Sequence, residues 1–285
     1  MNSVVKWIEV ALFASLLLMA ESSPAVAGCS HALQVGYNNW PPYSWEDEDG
    51  NARGLDVDLL NLFAKQAGCE LVFRQMPPRR SHQLMRAGKI DIMMGASKTE
   101  QRLDYAFFSE PYRLEVVNLF SVEGVNVTDI SAWPELLSRQ YKLLVPQVGW
   151  YGEEFERSKS NLKRQELLVE SPDLLRSVQM LSRGRANIAI GDSLAFPFIA
   201  GQSEQIHLYR HSVTLNENDI HLMFSRESMS IEEVDAFNRA IDQSGKDGEI
   251  ARLQLKWEQI SLSKNRLLPS QSGSRNKHEG SVLAE

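Results

Sequence analysis

The feature that most constrains the fold is an internal repeat. Leu84-Met85-Arg86-Ala87-Gly88-Lys89-Ile90-Asp91-Ile92-Met93-Met94-Gly95 and Met180-Leu181-Ser182-Arg183-Gly184-Arg185-Ala186-Asn187-Ile188-Ala189-Ile190-Gly191 follow one plan. Each reads as a helix end, a glycine that stops it, a short turn, an apolar strand and a second glycine. Strands that alternate with helices build a parallel sheet with helices on both faces. Two copies of that unit predict two α/β lobes of one design.

The remaining elements agree with this plan. Leu33–Tyr37 alternates like a strand, and Asn38–Asn51 is a loop rich in proline, tryptophan and acids. Gly54 opens a helix in which Leu55, Leu59, Leu62 and Phe63 share a face, and Gly68 ends it. Leu71–Phe73 is a second strand, Ser81–Ala87 a helix and Ile90–Met94 a third strand. In the second copy, Ser171 is the expected helix cap, with Pro172 at the first helical position. Two extended segments, Val116–Val122 and Asp219–Ser225, join the lobes. Ser230 and Glu233 form a capping box for the next helix. After a turn at Asp247-Gly248, a last helix ends near Ile260.

The ends of the chain read differently. Lys6, an apolar run over Val10–Ala20, Pro24 and the triplet Ala25-Val26-Ala27 have the layout of a secretory leader cleaved after Ala27. Val26-Ala27-Gly28-Cys29 also resembles a lipoprotein box, which would make Cys29 a lipidated first residue. The polar segment Glu21–Pro24 between the apolar run and the cysteine favours soluble export. From Ser263 onward little can be buried, so 263–285 is read as a disordered tail.

Export puts Cys29 and Cys69, the chain's two cysteines, in an oxidising compartment. They precede the first and second strands. If those strands are parallel neighbours, both cysteines lie at one end of the sheet and a disulfide between them is expected.

The formal charge of −7 argues against nucleic acid as a partner. The sequence has no Gly-x-Ser-x-Gly elbow, no phosphate loop and no His-Glu-x-x-His. His207 and His211 are not on a predicted helix, so no metal, cofactor or catalytic residue is assigned. What remains is a candidate clamp. Ser97, Thr99 and Arg102 follow the strand over Ile90–Met94. A hydroxyl and a guanidinium beyond a strand's C-terminal end can hold a carboxylate. Asp192 follows the matching strand of the second copy, so it belongs on the opposite wall.

With these residues in place, the chain resembles the bacterial extracellular solute-binding proteins of family 3 over roughly Leu33–Ile260. The likeness rests on Gly54-Leu55-Asp56-Val57-Asp58-Leu59, Ser97-x-Thr99-x-x-Arg102, Phe107-Phe108-Ser109-Glu110-Pro111-Tyr112 and Gly191-Asp192. It implies an α/β, two-lobed type II periplasmic-binding-protein fold, each lobe a mostly parallel sheet flanked by helices, with two hinge segments. Lobe 1 would comprise 28–118 and 225–262, and lobe 2 would comprise 119–224. By position, Ser97 and Arg102 would hold a ligand α-carboxylate, Asp192 its ammonium, and Trp40 would stack on its side chain. Gly149-Trp150-Tyr151-Gly152 departs from the family's Gly-Thr or Gly-Ser, whose hydroxyl helps hold the carboxylate, and adds aromatic bulk, Tyr151 included, to the cleft. Arg80 matches an arginine of some relatives and is a candidate partner for an acidic side chain. The resemblance implies a periplasmic, non-enzymatic receptor for an amino acid or similar small polar or anionic solute, serving an inner-membrane ABC permease. A sensor that docks on a membrane receptor, and a dehydratase on the same scaffold, remain as alternatives.

Overall fold

The structure, a computed structural model, describes residues 28–147, 150–202 and 206–264. The proposed leader and all but the first two residues of the proposed tail lie outside them. Strands β1 (Leu33–Tyr37), β2 (Trp45–Glu46), β3 (Ala52–Arg53), β4 (Leu71–Gln75), β5 (Ile92–Ala96) and β6 (Ala106–Phe108) alternate with helices α1 (Leu55–Ala67), α2 (Pro78–Arg86) and α3 (Glu100–Leu103). The long strand β7 (Arg113–Val122) leads to α4 (Trp133–Ser138), β8 (Leu143–Pro146), α5 (Glu153–Arg164), β9 (Leu168–Ser171), α6 (Leu174–Ser182), β10 (Ile188–Asp192) and α7 (Ala195–Ala200). The chain returns through β11 (Leu208–Ser225) and closes with α8 (Ile231–Lys246) and α9 (Glu249–Lys264).

The strands lie in the order β4–β1–β5–β11–β7–β10–β8–β9, with β6 beside β11. Each half holds a parallel triplet: β4–β1–β5 in the first and β10–β8–β9 in the second. The two halves meet where β7 and β11 pair antiparallel, from Leu208 opposite Val122 to Ile220 opposite Arg113. The expected joining segments Val116–Val122 and Asp219–Ser225 are the C-terminal parts of these longer strands.

The repeat is visible in the backbone. Gly88 and Gly184 both stand at positive φ, 62° and 66°, where each chain leaves its helix for β5 or β10. Leu59, Leu60 and Phe63 of α1 are fully buried with Leu33, Ile92 and Phe224, and Phe155, Ile188 and Leu143 anchor the second half. Phe120 of β7 stacks on Phe196 of α7 at 4.9 Å between ring centres.

Several boundaries differ from the sequence reading, the third strand among them, which runs over Ile92–Ala96. Asp173, not Ser171, caps α6, accepting the Arg176 N–H at 2.7 Å. Ser171 instead ends β9, fully buried against Ser177. The Ser171 hydroxyl is engaged with Ser177 and with the Asp173 carbonyl, which leaves Asp173 to receive the Arg176 N–H. Helix α2 begins earlier, at Pro78, because proline suits a first helical turn. Helix α9 runs through Lys264, so the expected tail does not begin at Ser263.

The disulfide joins Cys29 and Cys69 with their Cα atoms 4.9 Å apart. β1 and β4 are parallel neighbours, in register from Leu33 opposite Leu71, which brings both cysteines to the same end of the sheet.

Candidate ligand-binding site

A cleft of about 1340 Å³ lies where the two halves meet. Its walls are the segments that follow the C-terminal ends of β1, β5, β8, β9 and β10, the edge where open α/β sheets gather ligands. Glu115 and Val117 of β7 and Asn218 of β11 form its floor.

The loop after β1 is fixed by Gly54. At φ 133°, Gly54 lets the backbone at Tyr43 come so close that an added Cβ would sit 2.1 Å from the Tyr43 carbonyl oxygen. The Leu55 and Asp56 N–H groups then donate to the Pro42 and Tyr43 carbonyls, both at 2.9 Å. Trp40, at the loop's tip, is 38% exposed and lines the cleft.

Ser97 and Arg102 stand together on the first wall. Arg102 Nη1 donates to the Ser97 carbonyl at 2.7 Å, and Asn218 Nδ2 donates to the Ser97 hydroxyl at 2.8 Å. Arg102 is half-buried and meets no carboxylate among the described residues. Lys98 lies beside it on the same wall.

Asp192, at the end of β10, is buried and well occupied. Its carboxylate accepts the Tyr43 phenol at 2.9 and 3.0 Å, the Leu194 N–H at 2.9 Å and the Ala195 N–H at 2.7 Å. Burial raises its carboxyl pKa in spite of these donors. Tyr43 therefore ties the first half to the second. Behind it, the Arg113 guanidinium lies 3.9 Å over the Tyr43 ring and grips Asp56 with two bonds, of 2.6 and 2.9 Å.

Glu115 is half-buried on the floor, and its carboxyl is raised first by burial and then by Asp192. Tyr151, on the second wall, donates to the Pro146 carbonyl at 3.3 Å. Burial, and then Glu115, push its phenol up. Trp45 approaches Phe198 across the cleft at 5.7 Å between ring centres.

The structure thus brings Trp40, Ser97, Arg102, Tyr151 and Asp192 around one cavity. It does not bring Arg80 there: that side chain is exposed on α2 and lines no part of the cleft. Sequence reading missed Tyr43, Glu115 and Asn218. A lone acid inside the apolar run Leu114–Val117 was the available signal for Glu115.

This arrangement of two sheet halves about one cleft is that of the type II periplasmic-binding-protein fold. The chain belongs to the bacterial extracellular solute-binding proteins, family 3, whose profile matches residues 33–260. It is 30% identical over 116 residues to a "Probable histidine-binding protein" of Neisseria gonorrhoeae, covering 38% of this chain and 43% of that protein. A Campylobacter jejuni protein of the same name is 25% identical over 235 residues, 81% of this chain and 87% of the relative. The cyclohexadienyl dehydratase of Pseudomonas aeruginosa is 29% identical over 196 residues, 65% of this chain and 68% of that enzyme. The second substrate-binding domain of Lactococcus lactis GlnP, in an open conformation, shares the fold with a TM-score of 0.64 at 19% identity, over 80% of this chain and 95% of the domain. No helix among the described residues is long and apolar enough to cross a membrane.

Proposed function

We propose that the chain is a periplasmic receptor that captures an amino acid, preferably a basic one, and presents it to an inner-membrane ABC permease. The observation that carries this reading is the cleft's division of charge. Arg102 and Ser97 offer a carboxylate clamp on one wall, while Glu115 on the floor, with Asp192 beyond it, makes the rest of the cleft negative. A zwitterion needs both poles, because an unpaired charge taken out of water is costly. The cleft also carries more acids than bases: Glu46, Glu115, Asp173 and Asp192 against Lys98 and Arg102. That surplus favours a ligand with an additional positive group, in keeping with the histidine-binding names of two relatives. Trp40, Trp150 and Tyr151 supply flat faces for its side chain.

Capture requires two lobes, 28–118 with 225–262 and 119–224, that close about the paired strands β7 and β11. Trp40 and Tyr151, on opposite walls, would then approach the ligand together. A thermal-shift screen of the exported protein against amino acids tests the reading. A binder at 100 times its dissociation constant stabilises the fold by about 2.7 kcal/mol. No shift with any amino acid would refute it.

An enzyme on the same scaffold is the competing reading, favoured by the dehydratase relative and by the raised Glu115 carboxyl. A general acid needs such a raised carboxyl. Turnover of a cyclohexadienyl acid, followed by the absorbance of an aromatic product, would decide for it.

A further inference from the structure

The two acids of the cleft are not equivalent. Asp192 already accepts from Tyr43 and from two backbone N–H groups at the start of α7, and it is only 7% exposed. These three donors hold it in place and use most of the carboxylate's acceptor sites. Glu115 is half-buried on the floor, takes a hydrogen bond from the neighbouring Asn218 side chain and forms no ion pair among the described residues.

Position separates the two acids as well. Glu115 of β7 is the direct cross-strand partner of Asn218 of β11. Asn218 in turn donates to the Ser97 hydroxyl at 2.8 Å, beside Arg102. Asp192 lies further along the floor, opposite Val117, two residues beyond Glu115 on β7. In an α-amino acid the ammonium sits one carbon from the carboxylate, so its seat must adjoin the carboxylate clamp. The line Ser97–Asn218–Glu115 meets that condition.

We infer that Glu115 is the seat of the ligand's α-ammonium, and that Asp192 is a positioning residue that holds Tyr43 across the two halves of the fold, with the amino-acid reading above as the premise. The family resemblance gives the ammonium to Asp192; in this chain Tyr43 has taken that carboxylate. A half-buried carboxylate without a cation is an unfavourable arrangement that a ligand ammonium relieves. The same carboxylate repels ligands that carry a carboxylate and no amine.

Titration calorimetry tests this with L-histidine, L-arginine and L-lysine, each beside its des-amino acid, on the wild-type protein and on Glu115→Gln and Asp192→Asn variants. The wild type should prefer at least one amino acid over its des-amino acid by about 30-fold or more. Glu115→Gln should bring that preference to within about threefold, weakening the amino acid and leaving the des-amino acid equal or tighter. Asp192→Asn should lower the melting temperature and keep most of the preference. Glu115→Asp, which retains the charge, should recover part of it and guards against a fold defect in the glutamine variant. A Glu115→Gln protein that keeps the wild-type preference, or an Asp192→Asn protein that alone loses it, overturns the inference while the amino-acid reading stands. A folded wild type that binds none of the three overturns the inference together with the preference for a basic amino acid.

Discussion

Replacing Asp56 with asparagine should destabilise the fold by about 3–5 kcal/mol, the usual cost of leaving one partner of a buried ion pair uncompensated. Asp56 and Arg113 are 2% and 8% exposed, so water cannot take over the guanidinium. Their two bonds, at 2.6 and 2.9 Å, form a side-by-side fork that a carboxamide cannot reproduce, since one of its two heads is itself a donor. Arg113 has nowhere else to turn: its Nη1 is already buried without a partner, and its flat face is committed to the Tyr43 ring. Burial works against the Arg113 charge, and Asp56, with Tyr112 and Tyr43 beside it, more than offsets that burial. For a fold of this size each kcal/mol moves the melting temperature by roughly 2–4 °C, so the fall should be roughly 6–20 °C by circular dichroism. Being buried, the effect should change little between about 0.1 and 0.5 M salt. Removing both charges together, Asp56→Leu with Arg113→Met, should be less damaging than Asp56→Asn alone, because no buried charge is then left unpaired. A fall under about 2 °C for the single variant, or a double variant worse than the single one, would refute this account.

The other expectations concern the clamp, the bridge and one histidine. Arg102→Ala should stay folded yet lose roughly 30-fold to several-thousand-fold in amino-acid affinity, and Arg102→Lys should recover only part, as calorimetry on the folded variants would show. Replacing Cys29 and Cys69 with serine opens a loop of sequence separation 40 and should lower stability by up to about 4 kcal/mol in urea titrations; an unchanged midpoint would mean the bridge constrains nothing. His211 is fully buried on β11, and burial lowers its pKa to about 4 from an ordinary 6.5. Its neutral form is the folded form, so its contribution is complete above pH 6.5 and is lost as pH falls from 6.5 toward 4, where the unfolded chain takes up a proton first. The slope should reach about 1.4 kcal/mol per pH unit, and His211→Asn should show less pH dependence than the wild type over that window. Equal slopes for the two proteins would show that His211 does not titrate on unfolding.

Much of this protein is decided by residues close together in sequence. The helix–glycine–strand units need only local chemistry: an apolar face, a glycine able to reach positive φ at Gly88 and Gly184, and a buried strand after it. The Ser230–Glu233 capping box is local in the same way, and it forms as read. The disulfide needed one further assumption, that β1 and β4 are neighbours. The shared place of Ser97 and Arg102 on the cleft wall was legible because they lie five positions apart just beyond one strand, and that of Asp192 because it ends the repeated strand. Tyr43 and Glu115 were not legible, because their roles exist only once distant segments meet. Tyr43 reaches Asp192 across 149 residues of chain, and only the close approach at Gly54 holds it there. Glu115 faces the cleft because β7 pairs with β11 in one register; a slip of one residue would turn it to the opposite face of the sheet. The same holds for Arg80, whose residue type suited a ligand but whose place on α2 leaves it in solvent. Residue type and spacing determined which groups are available; the pairing of β7 with β10 and β11 decided which of them share a cavity, because side-chain direction on a strand is set by its partners.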